Sequence, residues 1–124
     1  SGRGESILIV DDIDEQRKIA VRMLERLGYR ATAVSSGEEA IEFLTANSVD
    51  LLLLDMIMDP GMDGLDTYKT IVSAFPGQRA VITSGFSETR RVREAQKLGA
   101  GTYVQKPYSL EQLGLAIRHE LDLA

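Results

Sequence analysis

Apolar residues in this chain fall into two alternating patterns, short unbroken runs and longer stretches with helical spacing. Ile7-Leu8-Ile9-Val10 is a continuous apolar run, as expected for a strand covered on both faces. Ile19, Ala20, Met23, Leu24 and Leu27 follow at helical spacing, and Gly28 is well placed to end that helix. Arg30 to Val34 alternates only weakly and suits an edge strand. Ser36-Gly37-Glu38-Glu39 has capping-box spacing and opens a helix with Ala40, Ile41 and Leu44 inward.

Leu51-Leu52-Leu53-Leu54 is the most apolar run. Leucine is no preferred strand former, so length and flanks decide: four residues lie between Asp50 and the Asp-Pro-Gly-rich stretch that reaches Gly64. A helical stripe of Leu65, Tyr68, Ile71, Val72 and Phe75 then closes at Pro76-Gly77. Ala80 to Thr83 forms the fourth strand. Ser87 can cap a helix with few apolar positions, Val92, Ala95 and Leu98. Thr102 to Val104 is a short fifth strand, and a last helix capped by Ser109 and Gln112 buries Leu110, Leu113, Ile117 and Leu121.

The resulting order, strand then helix five times over, predicts an α/β fold with a parallel sheet and helices on both faces. The most apolar runs belong in the centre and the second and fifth strands at the edges, which gives the flavodoxin-like order 2-1-3-4-5. Ligands in such sheets bind beyond the strand carboxyl ends. Asp11 and Asp12, Asp55, Ser84 and Lys106-Pro107 all fall there. Two carboxylates a few ångströms apart repel by about 4 kcal/mol at a moderate effective dielectric, so folding alone does not ask for this cluster. A bound divalent cation resolves it, and magnesium takes oxygen ligands. Taken singly, each residue has a plainer role: Asp12 as a helix cap with Glu15 three residues on, Asp55 and Ser84 as turn formers, Lys106 as a solvated surface group.

A chain of 124 residues is sized for one domain. Cysteine is absent, which excludes disulfides, thiol catalysis and zinc-thiolate sites. The net charge of −5, with bases scattered except at Arg90, Arg91 and Arg93, argues against direct nucleic-acid binding. No apolar run approaches the roughly 20 residues of a membrane span. The polar opening, residues 1–5, reads as a linker remnant or cloning scar, with the domain itself over 6–123.

The segments Val10-Asp11-Asp12, Leu54-Asp55-Met56, Met62-Asp63-Gly64, Thr83-Ser84-Gly85 and Tyr103-Val104-Gln105-Lys106-Pro107 together resemble the receiver domain of two-component response regulators, from Ser6 to about Leu123. The stretches Asp55 to Gly64 and Ser84 to Tyr108 are similar to C-terminal receivers of hybrid sensor histidine kinases. The resemblance implies a phosphorelay module whose phosphoacceptor is Asp55. Its Mg2+ ligands would be Asp11, Asp12, Asp55 and the backbone carbonyl of Ile57, its phosphate-binding lysine Lys106, and its switch pair Ser84 and Tyr103. It implies a histidine kinase or a histidine phosphotransfer domain as phosphodonor. It also implies protein contact through the fourth helix, fifth strand and fifth helix, a face compatible with a homodimer, and a bacterial, cytoplasmic setting that includes the cytoplasmic part of a membrane-bound sensor kinase.

The chain departs from the family at one place. Asp55-Met56-Ile57-Met58-Asp59-Pro60-Gly61-Met62-Asp63-Gly64 is one residue longer than the usual loop, and the extra acid, Asp59, is expected to alter the mouth of the site and its fit to partners. Ile57 and Phe86 would flank the path of attacking water, and neither can orient it, so slow self-dephosphorylation is expected. Leu115 is a candidate partner contact, and His119 reads as a surface residue. Asp12-Ile13-Asp14 imitates the nucleophile motif of haloacid-dehalogenase-like phosphohydrolases, but the expected Thr or Val and a cap domain are missing. No G-x-G-x-x-G follows the first strand, against a dinucleotide module. A receiver fold used only for protein contacts would not need the intact acidic set. The absence of a following effector region is expected for either a single-domain regulator or a piece of a longer kinase.

Overall fold

The computed structural model describes residues 2–58, 61–85 and 90–123. Five strands, β1 (Ser6–Val10), β2 (Arg30–Val34), β3 (Leu51–Asp55), β4 (Ala80–Ser84) and β5 (Tyr103–Gln105), alternate with five helices: α1 (Asp14–Arg26), α2 (Gly37–Ala46), α3 (Gly64–Ala74), α4 (Arg90–Lys97) and α5 (Leu110–Asp122). The strands form one parallel sheet in the order β2-β1-β3-β4-β5, as the apolar runs predicted.

Successive strand residues point to opposite faces, so each unbroken apolar run feeds two cores. Leu8, Val10, Leu52, Leu54 and Ile82 pack with α2, α3 and α4 on one side. Ile7, Ile9, Leu51, Leu53 and Val81 pack with α1 and α5 on the other. β3 and β4 are buried along their whole length, whereas β2 and β5 carry exposed positions at the edges.

Local signals explain most helix starts. Ser36 accepts from the Glu39 N–H at 3.1 Å, but the Glu39 carboxylate reaches back to the Ser35 N–H and hydroxyl, one residue earlier than a capping box requires. Asp63 caps α3 through the Asp66 N–H, and Ser109 with Gln112 forms the full reciprocal box on α5. In α1 the N-cap is Ile13, with no side-chain cap, so the plainer role of Asp12 as a cap is not the one it takes. Ile19 departs from expectation. It is 49% exposed, because Ala20 and Leu24 carry the buried stripe of α1 and Ile19 lies on a flank that lines a surface cavity. The cap expected from Ser87 lies outside the described residues.

The first residues lie against the α1–β2 turn, with the Gly4 N–H on the Gly28 carbonyl and Arg30 Nε on the Gly4 carbonyl.

Candidate functional site

The parallel register brings the carboxyl ends of β1, β3, β4 and β5 to one edge. Asp11 leaves β1 tied by its N–H to the Val34 carbonyl, while its Oδ1 accepts from the Ile13 N–H at 2.9 Å. Arg17 Nη1 donates to the Asp11 carbonyl at 2.8 Å and so staples the start of α1 to the end of β1. Asp55, the last residue of β3, is 5% exposed, and its Oδ1 accepts from the Ile57 N–H at 3.3 Å. The chain turns away sharply after it. A Cβ on Gly64 would stand 2.5 Å from the Asp55 carbonyl oxygen and the Met56 Cα, so only glycine lets α3 begin this close to the loop.

Asp11, Asp12 and Asp55 each offer a carboxylate oxygen within 4.8 Å of the other two. Lys106 arrives from β5 ahead of a cis peptide bond to Pro107. Its Nζ lies 2.8 Å from Asp11 Oδ2, 3.7 Å from Asp55 Oδ2 and 2.5 Å from Gln16 Oε1. Among the described residues, this ammonium pairs with Asp11 and Asp55 in a cluster of three carboxylates, in a partly buried space. Burial pushes the Asp55 carboxyl up to about 6; Lys106 pulls it down, and Asp11 and Asp12 push it up.

Ser84 ends β4 fully buried, and its carbonyl accepts from the Lys106 N–H at 2.7 Å. Tyr103 starts β5 opposite Ile82 and packs partly buried against the α2–α4 core. Ile57 is 49% exposed at the rim. Asp59 and Phe86 lie outside the described residues. His119 is exposed on α5, as expected, and Leu115 is 67% exposed.

Asp55 and Lys106 open into a cavity of about 520 Å3 whose wall is mostly apolar, with Ile13, Ile57, Pro107 and Tyr108 around it. Tyr108 and Gln16 were not singled out by sequence. Burial, with Asp11 and Asp55 nearby, pushes the Tyr108 phenol up to about 12, so it remains a neutral hydroxyl at the wall. Its only sequence signal was its place after Lys106-Pro107; for Gln16 it was the position one helical turn after Asp12.

Donors that are all carboxylate oxygens suit a hard divalent cation and not a soft one. The chemistry available is capture of an anionic group by Lys106 and attack by a buried carboxylate.

The response regulator receiver domain family matches residues 7–118. The chain belongs to that family. It is 32% identical to sporulation initiation phosphotransferase F of Bacillus subtilis over 119 residues, covering 96% of this chain and 95% of that protein. It is 36% identical to the autoinducer 1 sensor kinase/phosphatase LuxN of Vibrio campbellii over 121 residues, 98% of this chain but 14% of that protein. The N-terminal domain of a response regulator/sensory box/GGDEF protein from Carboxydothermus hydrogenoformans superposes with a TM-score of 0.88 at 28% identity, covering 96% of this chain and 95% of that chain. A CheY-like receiver structure from Methanospirillum hungatei, at 24% identity and a TM-score of 0.89 over 97% of this chain and 95% of that one, shares the fold. This receiver is a signalling domain of two-component phosphorelays, and the order 2-1-3-4-5 with five helices is its CheY-like flavodoxin fold. Among the described residues no helix is long and apolar enough to cross a membrane.

Proposed function

We propose that Asp55 is the phosphoacceptor of this receiver and that a phosphohistidine of a histidine kinase or histidine phosphotransfer domain is its donor. The observation that carries this reading is the burial of Asp55 within an acidic ring that holds a single ammonium 3.7 Å away. Asp11, Asp12 and Asp55, with the Ile57 carbonyl, would hold Mg2+. When bound, that ion supplies positive charge against the carboxylates and the phosphoryl oxygens.

Asp55 Oδ attacks phosphorus in line, the phosphorus–nitrogen bond to the donor imidazole breaks, and the ring nitrogen keeps the electron pair, so that the donor, protonated on its other ring nitrogen, leaves as neutral imidazole. Lys106 binds a phosphoryl oxygen as a point charge. The cavity of about 520 Å3 beside Asp55, with its mostly apolar wall, offers room for the donor side chain. The new acylphosphate recruits the Ser84 hydroxyl, and Tyr103 turns inward into the space it leaves, a two-state switch biased by local charge. The altered face comprises α4, β5 and α5, with Leu115 as a partner contact and a homodimer as one form of readout. Only Val92 and Ala95 of α4 are buried, a light anchor that suits a moving element. The residues over 6–123 act as this unit, in a cytoplasmic regulator or in the cytoplasmic part of a hybrid kinase.

Incubation with Mg2+ and a small acyl phosphate, read by mass spectrometry, should place one phosphoryl group on Asp55 and none on the Asp55→Asn variant. Multiple turnover of phosphate esters without a labelled aspartate would contradict the reading. Ile57 cannot orient water, so Ile57→Asn should shorten the phosphoryl lifetime several-fold; an unchanged lifetime removes that role.

A further inference from the structure

We propose that Gln16 is a positioning residue for Lys106, a neutral anchor that keeps the ammonium at the phosphoryl pocket when Asp11 turns to a cation. The inference rests on the reading of Asp55 as phosphoacceptor. An ammonium carries three N–H donors and no acceptor, so the Gln16 atom facing it must be the amide oxygen. Lys106 Nζ meets Gln16 Oε1 at 2.5 Å and Asp11 Oδ2 at 2.8 Å, with Asp55 Oδ2 farther off at 3.7 Å. Its two short contacts are thus to α1 and to the end of β1, with Asp55 a longer ion-pair partner.

Asp11 cannot serve indefinitely as that partner. Its Oδ1 is already engaged by the Ile13 N–H, and its carboxylate belongs to the three-carboxylate cluster that fits a divalent cation. A dication taken there competes with Lys106 for Oδ2 and repels the ammonium. Gln16 is then the remaining short contact. Its amide oxygen accepts hydrogen bonds without adding a fourth negative charge, and unlike a carboxylate it does not draw the cation away from the cluster. Its own position is secured, because Arg17 ties α1 to the Asp11 carbonyl and the Ile13 N–H caps back onto Asp11. Gln16 lines the cavity beside Asp55 and Lys106 and is absent from the buried stripe of α1, Ala20 and Leu24.

Gln16→Met keeps the length of the side chain and removes the acceptor. The 15N–1H signal of the Lys106 ammonium should persist in the wild-type chain with and without Mg2+. In Gln16→Met it should persist without Mg2+, held by Asp11, and broaden away at saturating Mg2+. Labelling of Asp55 by a small acyl phosphate should slow about fivefold to tenfold, and Gln16→Met should add no further loss in a Lys106→Ala background. A Gln16→Met protein that keeps the ammonium signal in Mg2+, or that loses as much rate without Lys106 as with it, overturns the proposal. Failure of the wild-type chain to label at Asp55 would instead overturn the phosphoacceptor reading, and the ammonium signals would still decide the role of Gln16.

Discussion

Two buried carboxylates stand at opposite ends of the sheet, and their surroundings differ. Glu120 on α5 and Asp55 on β3 are each 5% exposed. Glu120 Oε1 accepts from both the N–H and the hydroxyl of Thr102 at 2.9 Å, in a slot that exists because residue 101 is glycine; a Cβ there would stand about 2 Å from the carboxylate. The Asp55 carboxylate accepts one long backbone bond, faces two other acids and draws its main relief from an ammonium at 3.7 Å. The amino-terminal edge spends a carboxylate on fastening α5 to the strand it follows. The carboxyl-terminal edge keeps one under repulsion, where the proposed cation and phosphoryl group would meet it. A site that breaks the rules of a well-satisfied interior is where function resides.

Removing the fastened carboxylate should have the largest effect. Glu120→Ala strands the Thr102 N–H and hydroxyl and opens a void, with an expected loss of about 3 kcal/mol in urea unfolding. Removing the strained one should do the opposite. With metal chelated, the raised Asp55 carboxyl binds a proton more readily in the folded chain than in the unfolded one. Its penalty is therefore absent below about pH 4, grows as pH rises through about 6, and is full above it. Asp55→Asn should then stabilise the metal-free chain by on the order of 2 kcal/mol at neutral pH, with the gain fading toward pH 4. Thermal melts across pH check the sign, and added Mg2+ should narrow the gap. A destabilised Asp55→Asn protein would show that the edge is not strained.

The smallest effect should come from an ion pair that joins α4 to α3 at the carboxyl-terminal edge itself. Arg91 on α4 lies 2.5 Å from Asp63, the cap of α3, and 3.8 Å from Asp66. The pair is half-exposed, so Arg91→Ala should cost under about 1 kcal/mol. Hydrogen exchange should nonetheless speed up in α4, where only Val92 and Ala95 are buried.

The sheet was legible because its strands are dense apolar runs punctuated by turn residues, and strict alternation leaves few topologies. Which residue of Ile7 to Val10 faces which helical layer was not legible, since an unbroken run carries no period. Ile19 misled because an apolar residue on the flank of a helix matches the spacing of the stripe beside it. The acids and Lys106 were legible as a set because topology sends every strand end to one edge. Gln16 was not: a lone glutamine on a helix has no motif, and its value depends on a side chain 90 positions away reaching it. Thr102 and Glu120 hid for the same reason, a partnership across 18 residues that composition cannot announce.

A crystal structure of the chain grown with Mg2+ and beryllofluoride tests the central claim most directly. The account predicts a fluoroberyllate bonded to Asp55, a cation against Asp11, Asp12 and Asp55, and Lys106 in contact with a fluorine while still held by Gln16. An unmodified Asp55 with the three carboxylates and Lys106 unmoved would contradict it.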